Sequence, residues 1–381
     1  MLIVFLMGAG HRGKSLLKLL LSNHPSTILA GIYDPNETAI ENAKKEFPNA
    51  KLCTTSLEMI GNVAYDVNLF MVCSINCAHL EHCKFAAQFT KNIFCEKPLC
   101  IDRQQLQELK TLVEENKLNF MTGFVLRHSP FYQKIKSLTF SLGTILTMEV
   151  HDNLHHGHGA HIINNWRRYK ALSGGHLVEK CVHVFDLINW YVCGTDARIT
   201  PVKTATFGRK DIWCKKNKSN GEFLKSVYGD QNIFRKFPDD FEDVNPFDND
   251  ATILHASVSS IAYSNGTLVN FSMNTFCPSS SRRFNIVCTF GEIEAVWSNE
   301  TAHIKVTERG SNAKDFRKGI PCETLTYDFG PTGCHGNADT TIIDHIVKTA
   351  TSGETVETDF YDAYKSTLLG ISLEEAYEKD A

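Results

Sequence analysis

The sequence predicts an α/β protein of two domains: a doubly wound parallel sheet over residues 1–123, then an α/β domain with a large, mostly antiparallel open sheet over residues 124–381. Three observations predict this. A chain of 381 residues is longer than one hydrophobic core normally supports. Apolar strands alternate with helical segments up to Gly123. Beyond Gly123 the strands are longer and alternate in polarity, which is typical of antiparallel sheets.

The first element is a buried strand over Leu2–Met7, followed by a turn and a helix over Ser15–Ser22 with a thick apolar face. The turn has the spacing Gly-x-Gly-x-x-Gly, provided by Gly8, Gly10 and Gly13. In a dinucleotide site the first glycine makes a tight turn, the second lets backbone approach a pyrophosphate, and the third lets the helix pack on the strand. The helix N-terminus then holds the phosphates. We therefore predict a dinucleotide site here.

The second strand, Thr27–Tyr33, ends at Asp34, which lies 21 residues after Gly13. An acid at this position can bind both ribose hydroxyls and repels a 2′-phosphate, so NAD is predicted in preference to NADP. His11 and Arg12 inside the turn could contact phosphate, which leaves NADP as the less favoured alternative.

Three further strands and two helices complete the predicted parallel sheet: strands Asp66–Val72, Ile93–Cys95 and Asn119–Gly123, and helices Leu80–Thr90 and Arg103–Asn116. Strands at this rhythm with helical crossovers indicate a doubly wound sheet. Ligands of such sheets bind at the carboxyl ends of the strands.

Polar residues follow two of these strands at that edge. Ser74, Asn76 and His79 come after one strand and are predicted to lie near the ribose and the nicotinamide. Glu96 and Lys97 end the next, and Pro98 stops that strand and keeps Lys97 extended. We predict that Glu96 and Lys97 lie beside the cofactor and that the Lys97 ammonium points into the cleft.

The second domain is predicted to contain a helix around Phe131–Ser137 and a sheet of mostly antiparallel strands. The predicted strands are Thr144–Val150, Ala251–Ser264, Gly266–Asn274, Phe284–Thr289 and Ile293–Trp297, with a hairpin turn at Asn265-Gly266. One sheet face would pack on helices and the other could receive a partner or subunit. Helices are predicted over Asp339–Thr351 and about 361–377, and the last of them can pack back on the first domain. Residues 208 to 248 form an insertion or lid without an assigned role.

A second chemical stretch follows the glycine pair Gly174-Gly175. From Leu177 onward the pattern is helical, so Glu179, His183 and Asp186 fall at i, i+4 and i+7 on one helix face. A carboxylate one turn away can orient an imidazole and tune its pKa, which suits proton transfer to or from a hydroxyl.

Five histidines lie within eleven residues: His151, His155, His156, His158 and His161. They could bind zinc, but no cysteine or carboxylate completes an obvious ligand set. We therefore predict a polar loop that lines the substrate site, and no metal.

Composition narrows the class of protein. The net charge of −4 provides no general basic field for nucleic acid or acidic membranes. No apolar run reaches the roughly 18 residues that a membrane span needs. The 13 cysteines are scattered and contain no Cys-x-x-Cys pair, which favours free thiols in the cytoplasm.

The chain resembles the Gfo/Idh/MocA family, the relatives of glucose-fructose oxidoreductase and inositol dehydrogenase. The resemblance covers nearly the whole length and rests on Gly8-Ala9-Gly10-His11-Arg12-Gly13, Ser74-Ile75-Asn76 with His79, Cys95-Glu96-Lys97-Pro98, Gly123-Phe124 with Arg127, Gly174-Gly175 through His183 to Asp186, and Gly336-Asn337-Ala338-Asp339. It implies a Rossmann domain followed by an α/β domain, an assembly as homodimer or homotetramer, and hydride transfer to or from a carbohydrate or cyclitol.

Lys97 resembles the family's catalytic lysine and His183 its catalytic histidine. Glu179 stands where the family usually has an aspartate, and Cys181 replaces a usual glycine, so the proton relay differs in detail. We predict that His183 accepts the proton while Lys97 donates a hydrogen bond, and that Glu179 assists. The predicted substrate-binding residues are Arg127, His156, His158, Trp166, Arg167, Lys180 and Asp186.

Three functions are compatible with these residues. The first is an NAD(P)-dependent dehydrogenase acting on CH-OH groups of a sugar, sugar derivative or cyclitol. The second is an NAD-dependent glycoside hydrolase that uses transient oxidation and elimination and releases no net NADH. The third is a non-catalytic NAD-binding sensor, against which the presence of both Lys97 and His183 argues.

Overall fold

The computed structural model describes residues 1–194, 196–229, 245–298, 300–308, 324–329, 338–353 and 360–380. The chain forms two compact units. Unit 1 comprises Met1–Val125, Ala171–Gly174 and Ala338–Ile371, and unit 2 comprises Leu126–Lys170, Gly175–Asn337 and Ser372–Ala381. The predicted domain boundary after Gly123 lies two residues before the first change of unit. The two later segments of unit 1 were not anticipated, apart from the return of the last helix.

The strands, numbered in chain order, are β1 (Ile3–Met7), β2 (Ile28–Tyr33), β3 (Leu52–Thr54), β4 (Leu69–Val72), β5 (Asn92–Cys95), β6 (Asn119–Thr122), β7 (Ile145–His155), β8 (Pro201–Arg209), β9 (Ala256–Tyr263), β10 (Leu268–Cys277), β11 (Ser281–Cys288), β12 (Gly291–Ser298), β13 (Ala302–Glu308) and β14 (Thr324–Asp328). The helices are α1 (His11–Asn23), α2 (Glu37–Glu46), α3 (Leu57–Ala64), α4 (His79–Ala86), α5 (Arg103–Asn116), α6 (Pro130–Ser141), α7 (His156–Ile163), α8 (Lys170–Ser173), α9 (His176–Glu179), α10 (Val182–Cys193), α11 (Lys218–Tyr228), α12 (Ala338–Ser352) and α13 (Phe360–Asp380).

Unit 1 contains a six-stranded sheet in the order β3-β2-β1-β4-β5-β6. All neighbouring strands are parallel. The central strands are apolar along their length because helices cover both faces of such a sheet; all four residues of β4, for example, are buried. The strand order reverses between β1 and β4, which is where ligands of doubly wound sheets bind. The predicted doubly wound parallel sheet is confirmed.

Side-chain caps fix two helix starts in unit 1. Asn36 accepts a hydrogen bond from the Ala39 amide at 3.1 Å, and Asp102 accepts one from Gln105 at 2.8 Å. Each bond satisfies an amide that the first helical turn would leave without a partner. The helix after Asp102 has the predicted bounds Arg103–Asn116 and ends at Lys117, whose φ is +50°.

Unit 2 contains an eight-stranded sheet in the order β14-β13-β12-β11-β7-β10-β9-β8. β7 and β10 are parallel, and the other neighbours are antiparallel. The predicted mostly antiparallel sheet is confirmed, and Gly266, with φ of +89°, lies in the predicted hairpin turn between β9 and β10. The sequence did not predict β8, β13 or β14.

The helix predicted from Leu177 onward is interrupted. The Cys181 amide bonds to the His176 carbonyl at 3.3 Å, and the Val184 amide bonds to the Cys181 carbonyl at 2.8 Å. The backbone therefore changes from one helical segment to another at residues 180 and 181. Glu179 ends α9, whereas His183 lies in the first turn of α10, so the prediction that they share one continuous helix face with Asp186 is wrong.

The histidine-rich stretch is not a loop. Residues up to His155 belong to β7, and His156 opens α7. A Cβ atom at Gly159 would lie 2.0 Å from the Thr275 carbonyl oxygen, so glycine lets this helix pack directly on the sheet. The alternation of glycine and histidine reflects this close contact, and the loop prediction is corrected.

Part of the 208–248 stretch belongs to the core of unit 2. Trp213 and Phe247 pack with Ile162 and Ile163 of α7, and the Trp213 indole donates to the Thr275 hydroxyl at 2.8 Å. These contacts anchor both ends of the stretch, while residues 230–244 lie outside the described residues.

Two residues of the C-terminal motif, Gly336 and Asn337, also lie outside the described residues, whereas Asp339 is described. No helix in the described ranges combines the length and hydropathy that a membrane span requires.

Candidate active site

In the glycine turn after β1, two glycines have no room for a side chain and one has free space around it. Gly8 has φ of +102°, and a Cβ atom there would lie 2.5 Å from the Cys73 backbone. At Gly13 a Cβ atom would lie 2.3 Å from the Gly8 carbonyl oxygen, whereas at Gly10 nothing lies within 4 Å. Gly8 and Gly13 are therefore required by packing within the protein. Gly10 leaves open space at the start of α1, where a pyrophosphate fits.

Asp34 lies at the end of β2, beside this turn. One carboxylate oxygen accepts from the Ala9 amide at 2.8 Å, and the other accepts from the Asn36 amide at 2.9 Å. The two bonds fix the orientation of the carboxylate while it stays partly exposed. Because each oxygen has a further lone pair, the carboxylate can still accept hydrogen bonds from ribose hydroxyls.

Arg12 is held by two carboxylates. Its Nε donates to Glu96 Oε1 at 2.8 Å, and Nη2 lies 2.9 Å from Asp339 Oδ1. Burial opposes the charge of Arg12, but Glu96 and Asp339 outweigh this effect and raise its pKa. The side chain is thus oriented by two acids, which also balance its charge. Its contact with the cofactor phosphates stays a prediction. His11 is exposed on the first turn of the same helix.

Glu96 connects the glycine turn to the loop that carries Lys97. Besides Arg12, its carboxylate accepts from the Lys97 backbone amide at 3.1 Å. A Cβ atom at Gly123 would lie 2.7 Å from Glu96 Oε2, so the end of β6 leaves room for this buried carboxylate. Glu96 therefore holds the backbone at Lys97. Its role as a cofactor ligand stays a prediction.

Lys97 follows β5, half-buried, as predicted from the sequence. The Lys97–Pro98 peptide bond is cis, which no sequence feature indicated.

His79 joins the loops after β4 and β5. Its Nδ1 lies 2.7 Å from the Pro98 carbonyl oxygen and its Nε2 lies 3.0 Å from the Ser74 carbonyl oxygen. The ring is fully buried, and this burial lowers its pKa. The ring is fully buried and each nitrogen faces a backbone carbonyl, so His79 has a structural role in joining the two loops. The predicted contact of His79 with the cofactor is corrected.

His82, which the sequence analysis did not single out, holds the same loop. Its Nδ1 lies 2.8 Å from the Ser74 hydroxyl. Burial lowers the pKa of His82 to about 4. Its spacing of one helical turn from His79 is the sequence signal that could have revealed it. Asn76, in the same loop, donates to the Ser173 carbonyl at 2.9 Å and is buried.

In unit 2 His183 is the second residue of α10 and is buried, and Asp186 follows one turn later. Asp186 is paired with Arg127. Both of its oxygens accept from Arg127, at 2.8 and 2.6 Å, and Arg127 also lies over the Trp190 ring at 5.4 Å. Both side chains of this pair are at most 2% exposed. The predicted binding of substrate by Arg127 and Asp186 is therefore at odds with their placement inside the unit.

Glu179 is paired with Arg167, whose Nε lies 2.9 Å from Oε1 of the carboxylate. The guanidinium also stacks on Trp166, with its carbon 4.6 Å from the ring centroid. Three predicted site residues, Glu179, Trp166 and Arg167, are thus brought together. Arg167 fixes the orientation of the carboxylate.

His158 lies among charged residues of this group. Burial, and then the charge of Lys180, hold the pKa of His158 well below its usual range, with a smaller opposing effect from Glu179. The imidazole is therefore neutral at pH 7 and can both donate and accept a hydrogen bond. His156 is buried, with its ring 3.9 Å from that of His155.

Within the described ranges, no group of three or more His, Cys, Asp and Glu side chains is placed to hold a metal ion.

Both units match one protein family. Residues 2–124 match the domain described as oxidoreductase family, NAD-binding Rossmann fold. Residues 139–380 match the C-terminal alpha/beta domain of the same family.

Curated relatives are distant. YteT of Bacillus subtilis, named as an oxidoreductase, is 22% identical over 310 residues, which cover 72% of each chain. Glucose-6-phosphate 3-dehydrogenase of B. subtilis is 27% identical over 180 residues, 46% of this chain and 49% of that one. The 2,7-anhydro-N-acetylneuraminate hydratase of Mediterraneibacter gnavus is 28% identical over 137 residues, 35% of this chain and 36% of the relative. The last two alignments span half or less of the relative's length.

A solved structure of levoglucosan dehydrogenase with NADH and levoglucosan has a TM-score of 0.71 and 18% identity, and covers all of this chain and 98% of the other. At this identity the likeness shows the fold alone. The two domain matches together extend over nearly the whole chain, and so the chain belongs to the Gfo/Idh/MocA oxidoreductase family, with an NAD-binding Rossmann domain at its N-terminus.

Proposed function

We propose that the protein is an NAD-dependent oxidoreductase that acts on a hydroxyl-bearing or keto carbon of a sugar, sugar derivative or cyclitol. The observation that supports this best is the open space at Gly10 between the closed positions Gly8 and Gly13, with the oriented Asp34 carboxylate beside it. NADP fits less well because a 2′-phosphate would meet that carboxylate.

The residues that would hold NAD belong to unit 1. The backbone at Gly10 and the first turn of α1 would bind the pyrophosphate, and Asp34 would bind the ribose. When bound, NAD supplies the acceptor for a hydride.

The proton is handled by this chain's own side chains. In our proposal His183 accepts the proton of the substrate hydroxyl, and Lys97 donates a hydrogen bond to the same oxygen. Glu96 holds the Lys97 backbone, through the amide bond at 3.1 Å. Glu179, whose carboxylate lies 2.9 Å from Arg167, assists His183 through its negative charge. It does not act as the base that takes up the proton.

Recognition of the substrate is assigned to polar groups of unit 2. The neutral ring of His158 can donate to one hydroxyl and accept from another, which suits a polyol. Trp166 offers an aromatic face, and Lys180 offers a donor. The mixture of neutral and charged donors is that expected for a hydroxyl-rich molecule.

The test measures NADH formation by the purified protein with NAD and a panel of sugars, sugar acids, cyclitols and glycosides. We expect steady NADH production with one class. Lys97→Met and His183→Asn should each lower turnover by about 100-fold or more while NAD binding is retained, because each removes a group that acts on the proton. Lys91→Met, at the other end of the same strand, is the matched control.

Near-normal turnover of Lys97→Met would remove Lys97 from the mechanism. Failure of every compound to yield NADH despite measurable NAD binding would contradict the dehydrogenase proposal.

A second candidate is a reaction without net NADH, in which oxidation, elimination, addition of water and re-reduction occur in one cycle. The chain is 28% identical to the 2,7-anhydro-N-acetylneuraminate hydratase and 27% identical to glucose-6-phosphate 3-dehydrogenase. These comparable identities support the second candidate. It predicts loss of a glycoside together with a burst of at most one NADH per subunit.

We further propose a homodimer or homotetramer in the cytoplasm. The outer face of the unit 2 sheet carries Glu149, Asn270 and Asn285 side by side on three adjacent strands, a surface that a second subunit could cover. All eleven described cysteines are free thiols, which suits a reducing compartment. Light scattering measures the oligomer.

A further inference from the structure

A buried carboxylate from the last helix contacts the segment that carries Glu179. Glu374, on α13, is 3% exposed, and its Oε1 accepts a hydrogen bond from the Leu177 amide at 3.0 Å. Leu177 is the second residue of α9, and an amide in a first helical turn has no partner within its own helix. Glu374 therefore satisfies a donor that the short helix leaves over.

The glycine pair before this helix is shaped around the same carboxylate. Gly175 has φ of +97°, and a Cβ atom there would lie 2.3 Å from Glu374 Oε1. A side chain at this position would both strain the backbone and displace the carboxylate. The turn and the start of α9 thus pack directly against Glu374, although Leu177 and Glu374 are 197 residues apart in the sequence.

Charged groups surround Glu374 on several elements. Lys170 Nζ lies 3.8 Å from Oε2 and also contacts Glu378, one turn further along α13, at 2.5 Å. Lys210 adds attraction, and Glu378 adds repulsion. Burial, and to a smaller extent the charge of Glu374, raise the pKa of Cys181, which lies in the break between α9 and α10. The charge of Glu374 therefore acts on Cys181, two residues beyond Glu179.

We propose that Glu374 is a positioning residue. It fixes the Gly175 turn and the start of α9, and thereby the position of Glu179. His183 lies two residues beyond the break that follows α9, so Glu374 also sets the direction in which the chain reaches His183. This role in catalysis rests on the proposed function, whereas the structural coupling does not. No residue of α13 was predicted to belong to the site.

Protonation changes one of the two contacts. Burial raises the pKa of Glu374 to about 7, so both forms are present near neutrality. The protonated form still accepts from Leu177 through its carbonyl oxygen, but it no longer attracts Lys170 as an ion. A glutamine reproduces the protonated form, because it keeps the acceptor and lacks the charge.

The experiment compares Glu374→Gln, Glu374→Leu and the matched control Glu378→Gln. The control removes a carboxylate beside the same Lys170 but not the bond to Leu177. We expect Glu374→Leu to lower kcat by roughly tenfold to 100-fold, as a small displacement of reacting groups does, with NAD affinity unchanged. Glu374→Gln should restore most of kcat and remove the component of the pH–rate profile near pH 7 that Glu374 contributes. The control should keep the wild-type kcat and the Glu374 component of the profile, shifted to lower pH because the repulsion from Glu378 is removed.

Hydrogen exchange of the Leu177 amide provides a measurement independent of activity. Protection should persist in Glu374→Gln and in the control, and should fall at least tenfold in Glu374→Leu. Equal protection in all variants, or a Gln variant as impaired as the Leu variant, would overturn the proposal. If the wild type forms no NADH with any compound, the proposed function fails, and the exchange measurement still decides the coupling. If Glu374→Leu does not fold, the comparison of exchange and pH profile between Glu374→Gln and the control decides it.

Discussion

Individual side chains at the candidate site are held by partners that are far away in sequence. Arg12 and Glu96 are 84 residues apart and form a 2.8 Å bond. The residue types and their places at strand ends could be predicted, because a strand end is visible in the local pattern. Their pairing could not, because it depends on which strands become neighbours.

The buried pair of Arg127 and Asp186 leads to a prediction at this scale. Asp186→Asn should lower the free energy of unfolding by about 3–5 kcal/mol, because it leaves a buried guanidinium without its counter-charge. Urea denaturation measures the change. Asp196→Asn, which breaks the exposed pair with Arg198, should cost less than about 1 kcal/mol. Equal losses in the two variants would refute the assignment of a buried structural pair.

Elements were predictable where local signals agree. Helix α5 has a side-chain cap at one end and a left-handed residue at the other, and its bounds were predicted correctly. The break between α9 and α10 was not predicted, because the sequence there is continuous in its apolar pattern and contains neither glycine nor proline. The strands β13 and β14 were missed because their pairing is set by the preceding strands of the sheet.

The glycine turn yields a prediction at the scale of an element. Gly13→Ala should destabilise unit 1 and lower the thermal midpoint, because the new methyl group would meet the Gly8 carbonyl oxygen at 2.3 Å. Gly10→Ala should leave the midpoint nearly unchanged, because open space surrounds the site, and should instead weaken NAD binding at least tenfold. Calorimetry and titration with NAD measure the two effects. A Gly10 variant with normal NAD affinity would contradict the placement of the pyrophosphate.

At the scale of the whole molecule, buried titratable groups make the stability depend on pH between about 4 and 7, and they act in opposite directions. Burial lowers the pKa values of His82 and His255 to about 4. The unfolded chain then binds these protons more tightly than the folded protein does. The contribution of these two histidines to stability is therefore complete above pH 6.5, the ordinary pKa of histidine. It is lost as the pH falls from there towards 4.

The acid side can be tested by urea denaturation at a series of pH values. We expect the free energy of unfolding to fall by about 2 kcal/mol for each of these two histidines between pH 7 and pH 5. A variant with His255→Gln should show a shallower decline. A decline in His255→Gln as steep as that of the wild type would contradict the burial of a neutral ring at this position.

Glu374 acts in the opposite direction over nearly the same pH range. Its pKa is raised from 4.5 to about 7 in the folded protein, so its contribution is complete below pH 4.5 and is lost as the pH rises through 7. Relative to the wild type, Glu374→Gln should gain stability between pH 5 and pH 8, by up to about 3 kcal/mol. Denaturation of both proteins at the two pH values measures the difference, with Glu378→Gln as control.

The return of the chain to unit 1 has a consequence for biosynthesis. Phe360 of α13 packs against Phe120 of β6, with ring centroids 5.4 Å apart, so this strand is covered by residues that are synthesised about 240 residues later. A ribosome-bound chain that has completed the first 125 residues lacks that cover. The nascent domain therefore presents an apolar surface for as long as about 235 further residues take to be synthesised, roughly 12 to 50 seconds at about 5–20 residues per second. During that interval it is a target for chaperones.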